Sequence, residues 1–283
     1  MRLGRRALVI AAIAAAACHR SSEHARDAGV TRVVSLSPST TETVAELGGL
    51  PRLVGRSRYC DYPVEVTKVP EVGGYVDPNV EAIVALRPDL VVGARGPAGH
   101  RIDDILREHA IDTYFPETET IADVLDMVRG IGERLDRRAE AGALVAKIQA
   151  RLAEIEDQTR ALPHPRVLLL FGVQPIVAAG PKSFGDEITR HAGALNAVVS
   201  GDTYPALDLE AVAALDPDVI VDAAVAEEHG GQRIGKDAPG WRELRAVKQS
   251  RVVMLADEAV LRPGPRVADG VATLARALHP ELH

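Results

Sequence analysis

Aromatic residues are scarce in this chain: Phe, Trp and Tyr together make up 3% of its 283 residues, and there is one Trp. With so few rings the core must be aliphatic, built from Ala, Val and Leu, and any ring that falls near a pocket stands out. Cysteine is almost missing too. Two residues, Cys18 and Cys60, exclude a disulfide-stapled scaffold, so the fold is held by packing. Gly-x-Ser-x-Gly, Gly-x-Gly-x-x-Gly and the P-loop pattern are absent, which removes the sequence grounds for a nucleophile elbow, a dinucleotide fingerprint or a phosphate loop. The nine histidines are scattered, with no His-x-x-x-His pair on a predicted helix, which argues against a dedicated zinc or manganese receptor. Positive charge is also in deficit, with 33 Lys and Arg against 40 Asp and Glu. A surface this acidic excludes nucleic acid as a partner.

What is present begins with an address. Arg2, Arg5 and Arg6 form a positive n-region and Ala7 to Ala14 an apolar stretch too short to span a bilayer. Ala15-Ala16-Ala17-Cys18 is a small-residue cleavage site, so residues 1–17 read as a signal peptide. A Cys directly after the small residues resembles the bacterial lipobox, which implies lipidation at Cys18 and a membrane anchor; Ala15 departs from the usual leucine there. The competing reading is a plain Ala-x-Ala cut beside an unrelated Cys. Cleavage removes three arginines, leaving 30 basic against 40 acidic residues and a net charge of −10. Residues 18–30 are polar and patternless, a flexible tether.

The chain states one element twice. From Asn79 to Gly93 a short amphipathic helix led by Glu81 runs to Leu86, a Pro88-Asp89 turn stops it, and an apolar β-branched run follows. From Asp208 to Val221 the same order returns: Glu210, Leu215, Pro217-Asp218, then Val219 to Val221. Further strands are expected at Arg32–Leu36, Leu53–Gly55, Asp112–Phe115, Arg166–Leu170 and Val252–Leu255. Ser39 and Glu42 have capping-box spacing, echoed by Ser183 and Asp186. Strand and helix alternate, predicting α/β architecture: two Rossmann-like lobes, each with a parallel sheet covered on both faces. Between them, Ile121 to Ala161 shows sustained helical periodicity, with a break near residue 135. The second piece, about 24 residues and roughly 36 Å long, suits a rigid backbone helix joining the lobes; an amphipathic helix lying on one lobe is the alternative. The expected organisation is therefore 31–118 for the first lobe, 119–162 for the helical segment and 163–283 for the second lobe. Trp241 is spaced to cover the last strand, a structural place.

Arg32-Val-Val-Ser-Leu-Ser-Pro-Ser-Thr-Thr-Glu42, Tyr59-Cys-Asp-Tyr-Pro63, the Glu81 and Glu210 segments and Arg262-Pro-Gly-Pro-Arg266 together resemble the BtuF-type cobalamin-binding proteins. These belong to the helical-backbone metal-receptor class of solute-binding proteins that feed ABC importers. The resemblance implies the class III periplasmic-binding-protein fold, with ligand held in the cleft between lobes at the carboxyl ends of the sheets. It places Tyr59, Tyr75 and Tyr204 at positions that flank the corrin ring, two of them tryptophan in the best-known pattern and a further aromatic position becoming Ala94, and Glu258 and Arg262 at positions that reach the ligand. Glu81 and Glu210 fall on the acids that dock on arginines of the two transporter subunits. It also implies a monomer that carries out no covalent chemistry and holds no cofactor of its own. The partners are an importer permease and ATPase, and the location is periplasmic or cell-surface on a lipid anchor. The cargo is cobalamin or another corrinoid. Haem is the alternative, with Tyr75 as an axial ligand, and ferric siderophore comes third. Cys60, in a loop between two tyrosines, is a candidate ligand of the cargo metal, against the plainer reading of a buried structural thiol. An α/β enzyme using carboxylates such as Asp61 and Glu117 is the rival from another class.

Overall fold

The computed structural model describes residues 29–95, 99–224, 234, 235, 237–255 and 260–282. The signal peptide, Cys18, the tether as far as residue 28, and Glu258 lie outside the described residues.

The first sheet contains β1 (Val33–Ser35), β2 (Leu53–Arg56), β3 (Leu90–Val92) and β4 (Asp112–Tyr114), all parallel, in the order β2-β1-β3-β4. The helices associated with it are α1 (Pro38–Glu46), α2 (Val80–Ala85) and α3 (Gly99–Glu108). Two helices follow, α4 (Ile121–Arg134) and α5 (Arg138–Thr159). Leu135 ends α4, and Asp136 takes a left-handed φ of 55° that lets α5 start in a new direction, so the break falls where the glycine pattern put it.

The second sheet holds β5 (Arg166–Val173), β6 (Ile176–Ala178), β7 (Leu195–Asn196), β8 (Ala206–Leu207), β9 (Val219–Asp222) and β10 (Val252–Met254). Its helices are α6 (Phe184–His191), α7 (Leu209–Leu215), α8 (Arg245–Lys248) and α9 (Val267–Leu278). The parallel strands run β7-β5-β9-β10 and reproduce β2-β1-β3-β4 of the first sheet. One expectation is corrected: this sheet is mixed. β5 is eight residues long; its start pairs with β7, while its end folds back on β6 in an antiparallel hairpin, and β8 extends that edge. A two-residue connection, Gln174-Pro175, makes the hairpin local and hence accessible to a strand too short to show periodicity.

The repeated Pro-Asp turn does the same work in each lobe. Asp89 Oδ2 accepts hydrogen bonds from Thr31 N, Thr31 Oγ1 and Arg32 N, each 2.9 Å, and Asp89 N donates to Arg32 O at 2.8 Å. Asp218 Oδ2 accepts from Arg166 N at 2.8 Å, and Asp218 N donates to Arg166 O at 2.8 Å. Each aspartate thus pins the beginning of the central strand of its sheet. Both carboxyls are held below the usual range. For Asp89, burial pushes upward and the bonds from Thr31 and Arg32 together outweigh it; for Asp218, the Arg166 N–H leads and Arg245 adds to it.

Alternation along the strands distributes the core. Val33, Val167 and Leu169 face a common core with the buried stripe of α5, Ala141, Val145, Ile148, Leu152 and Ile155. Val34 and Leu36 face a separate cluster with Ile83, Ile102 and Leu106; Leu168 and Leu170 face another with Trp241. The common core therefore draws on both sheets. At 22 residues, about 33 Å, α5 packs against α4 on one side and α9 on the other, and it serves both lobes.

Candidate functional site

The carboxyl end of β1 turns into α1 through buried hydroxyls. Ser37 Oγ accepts from Ala94 N (2.9 Å), tying this turn to the end of β3, and Ser35 Oγ lies 2.8 Å from Thr40 Oγ1. Thr41 Oγ1 lies 2.7 Å from Ser35 Oγ and 3.0 Å from Cys60 Sγ. Helix α1 begins at Pro38 with Ser37 at its N-cap and no side-chain capping bond, so the Ser39 and Glu42 spacing is not a capping box. In the second lobe Ser183 does cap α6 by accepting from Asp186 N, but the Asp186 carboxylate accepts from Lys182 N and Asn196 Nδ2 while Ser183 N donates to Gly180 O, so the box is only half formed.

Cys60 is fully buried beneath this network. Burial pushes its thiol up, against the hydrogen bonds of Thr41 and Ser57 and the charges of Arg56 and Arg262. A buried thiol pushed up in this way favours the plainer structural reading of Cys60 over the candidate role as a ligand of the cargo metal.

The three tyrosines do not form one cage. Tyr59 stands 53% exposed on the rim, with the Arg58 guanidinium 5.6 Å from its ring centre; Arg58 is itself held by Asp77 at 2.6 Å. Tyr75 follows a Gly73-Gly74 turn that needs glycine at its first position. Gly73 has φ +97°, whereas a Cβ on Gly74 would meet the ends of the Asp77 and Arg58 side chains. Tyr204 comes from the other lobe. Its hydroxyl donates to Glu119 Oε2 at 2.6 Å, and its ring meets Phe171 edge-on, centroids 5.6 Å apart. Both phenols are pushed up, first by burial and then by carboxylates: Glu119 and Glu117 for Tyr75, Glu119 for Tyr204. The structure thus joins Tyr204 directly to Glu119, while the Tyr75 phenol feels the charges of Glu119 and Glu117 without a hydrogen bond to either among the described residues. Glu117 is matched by Arg95 at 2.9 Å.

Arg262 is brought to the first lobe rather than left on the surface. Its Nη1 donates to Glu42 Oε1 (3.2 Å) and to Asp61 Oδ1 (2.9 Å). Arg266 forks onto the same Glu42, Nε to Oε2 at 2.9 Å and Nη2 to Oε1 at 2.7 Å, while its guanidinium lies 4.0 Å over the Tyr62 ring. The Glu42 side chain is 1% exposed. Sequence reasoning missed this cluster, although the two arginines four apart in Arg-Pro-Gly-Pro-Arg and an acid, Glu42, set among the hydroxyl residues of α1 were its signal.

Glu81 and Glu210 hold the second positions of α2 and α7, exposed and without an ion pair among the described residues. Capping is done by their neighbours: Asn79 accepts from Ala82 N (3.0 Å) and Asp208 from Ala211 N (2.7 Å). In a parallel α/β layer the helix start lies at the carboxyl end of the strands, so both acids stand at the same end as the tyrosines. Among the described residues there is no group of three metal-ligating side chains, and no helix is long and apolar enough to cross a membrane.

Residues 33–259 match the periplasmic binding protein family. The chain is 29% identical over 257 residues to the ABC transporter substrate-binding lipoprotein YvrC of Bacillus subtilis, covering 88% of this chain and 80% of that one. It is 29% identical over 248 residues to the vitamin B12-binding protein of Salmonella typhimurium, covering 87% and 90%. A periplasmic haem-binding protein from Pseudomonas aeruginosa, known by crystal structure, shares the fold at a TM-score of 0.79 with 29% identity, covering 89% and 93%. Two α/β lobes on a shared backbone helix, the contact from Tyr204 to Glu119 and a family match across both lobes lead to one assignment: the chain belongs to the periplasmic binding protein family, whose members are solute receptors and not enzymes.

Proposed function

We propose that this protein is the receptor of an ABC importer, exported and anchored through a lipid on Cys18, and that it captures cobalamin or a related corrinoid between its lobes. Residues 1–17 are the signal, 18–30 the tether, 31–118 and 163–283 the lobes, and 119–162 the helical link. The carrying observation is the hydrogen bond from the Tyr204 hydroxyl to Glu119, 85 positions earlier in the chain, with Phe171 edge-on to the Tyr204 ring and the Tyr75 phenol under the influence of the same carboxylate. Flat faces with polar tips suit a large ring whose rim is polar. Tyr59 and Arg262 add contacts from the rim, and Glu258 completes the polar set by resemblance. The Salmonella relative named for vitamin B12 supports this cargo.

Haem is the second reading, supported by the Pseudomonas structure. Iron needs an axial ligand from the protein, and a tyrosine serves as phenolate. Burial, Glu119 and Glu117 push the Tyr75 phenol up, which opposes forming a phenolate there, and Cys60 is buried. A corrinoid that carries its own axial base makes no such demand, which together with the relative named for vitamin B12 favours the corrinoid. Calorimetric titration of the purified mature protein with cyanocobalamin, cobinamide and haemin tests the choice: tight corrinoid binding supports it, and tight haemin binding without corrinoid binding overturns it.

Delivery follows from the doubling. Glu81 and Glu210 present the same acid at the same helical position in two lobes fixed by one rigid helix, a match for a two-fold partner bearing arginines. Glu81→Arg with Glu210→Arg should abolish uptake in cells while ligand binding persists; normal uptake by that pair refutes docking. Labelled fatty acid should appear on the wild type and vanish in Cys18→Ala, and label persisting in that variant removes the anchor.

A further inference from the structure

We infer that Glu119 selects cargo by the chemistry of its rim, admitting a ring fringed with amides and rejecting one fringed with carboxylates. This rests on the corrinoid reading of the cleft and extends it. Glu119 lies one residue before Thr120, the N-cap of α4, and it is exposed. Its one hydrogen bond among the described residues comes from the Tyr204 hydroxyl, and no cation is paired with it there. The arginines of the loops described above are taken by other acids: Arg95 by Glu117, Arg58 by Asp77, and Arg262 and Arg266 by Glu42, with Asp61 also on Arg262. Glu119 thus carries a charge with no cationic partner among the described residues.

Its hydrogen bond also shapes Tyr204. By committing its proton to Glu119, the phenol keeps its oxygen as an acceptor for anything else that approaches. Burial and the same carboxylate push the Tyr75 phenol up, so it is uncharged at neutral pH and offers nothing to offset the charge of Glu119. An edge made of a carboxylate and an acceptor phenol complements N–H donors, which primary amides supply. A ligand carboxylate at that edge meets a like charge and gains no compensating donor from Glu119 or Tyr204. Discrimination arises from the repulsive element as much as from the attractive one.

One ring with two fringes tests this. Cobyrinic acid, whose side chains end in carboxylates, and its fully amidated counterpart share the corrin and differ in the rim. Both would be titrated calorimetrically into the purified mature protein and into Glu119→Gln and Glu119→Asp. The wild type should prefer the amidated ring. Glu119→Gln should reduce that preference about tenfold, the scale of one like charge removed from a partly solvated site. Glu119→Asp, which keeps the charge, should keep the preference. Unaltered preference in Glu119→Gln, or its loss in Glu119→Asp to the same degree as in Gln, overturns the inference. A wild type that binds both rings equally leaves the corrinoid reading standing and sinks the role of Glu119. A wild type that binds neither ring overturns both.

Discussion

Replacing Glu42 by Gln removes one charge from a contact that joins the first lobe to the segment after β10. The carboxylate is 1% exposed and takes three bonds, two from Arg266 in a fork and one from Arg262. Gln keeps one acceptor oxygen but turns an NH₂ toward a guanidinium, so the fork loses a bond and both arginines lose their buried counter-ion. Removing one partner of a buried pair costs about 3–5 kcal/mol. The arginines keep 17% and 23% exposure and Arg262 retains Asp61, which places the cost near the lower end, about 3 kcal/mol. For a fold of this size about 1 kcal/mol moves Tm by 2–4 °C, so Tm should fall by roughly 6–12 °C. Thermal unfolding followed by circular dichroism measures it. Arg266→Gln and the double substitution complete a cycle in which the two changes should be clearly non-additive. A Tm within about 1 °C of wild type would mean that the shared apolar core alone fixes the lobes and that the ion cluster contributes nothing.

Other expectations follow from the same geometry. Tyr75→Ala with Tyr204→Ala should weaken corrinoid binding by a few kcal/mol, the loss of two large contact faces; calorimetry showing unchanged affinity would move the cargo elsewhere. Cys60→Ser should leave the affinity and absorption spectrum of bound cargo unchanged, because the sulfur is buried, and an altered metal band would reinstate it as a ligand. Asp218 has a folded-state value below its unfolded one, so its contribution is present above about pH 4 and is lost as pH falls through the folded value. Asp218→Asn should therefore be less stable than wild type at neutral pH by a small margin, since the group is partly exposed, and that margin should close in acid; a constant margin between pH 7 and pH 2 would contradict the linkage.

The repeat made the fold readable. Glu81 to Val92 and Glu210 to Val221 share helix, Pro-Asp turn and buried strand, and the turn proves to be the clamp on β1 and β5. The α5 stripe was visible because a 22-residue helix repeats its period many times. The hairpin of β5 and β6 was not: three residues carry no period, and its partner strand already had a parallel role to account for it. Glu42 was misassigned for a related reason. Spacing alone matched a capping box, whereas the fold supplies two arginines more than two hundred positions later in the chain. Glu119 escaped notice because its meaning depends on Tyr204, 85 residues away, and on the other acids having taken the nearby arginines. In the site, then, the tyrosines were legible as residue types, and what they face was set by long-range packing.

The central claim, a corrinoid held one to one between the lobes, is tested most directly by purifying the full-length protein from its own host and recording native mass spectra together with an absorption spectrum. The account predicts a single corrinoid per chain, with a corrinoid spectrum that survives Cys60→Ser and is depleted in Tyr75→Ala with Tyr204→Ala. A chain that emerges carrying haem, with the iron spectrum of an axial tyrosinate, would contradict it.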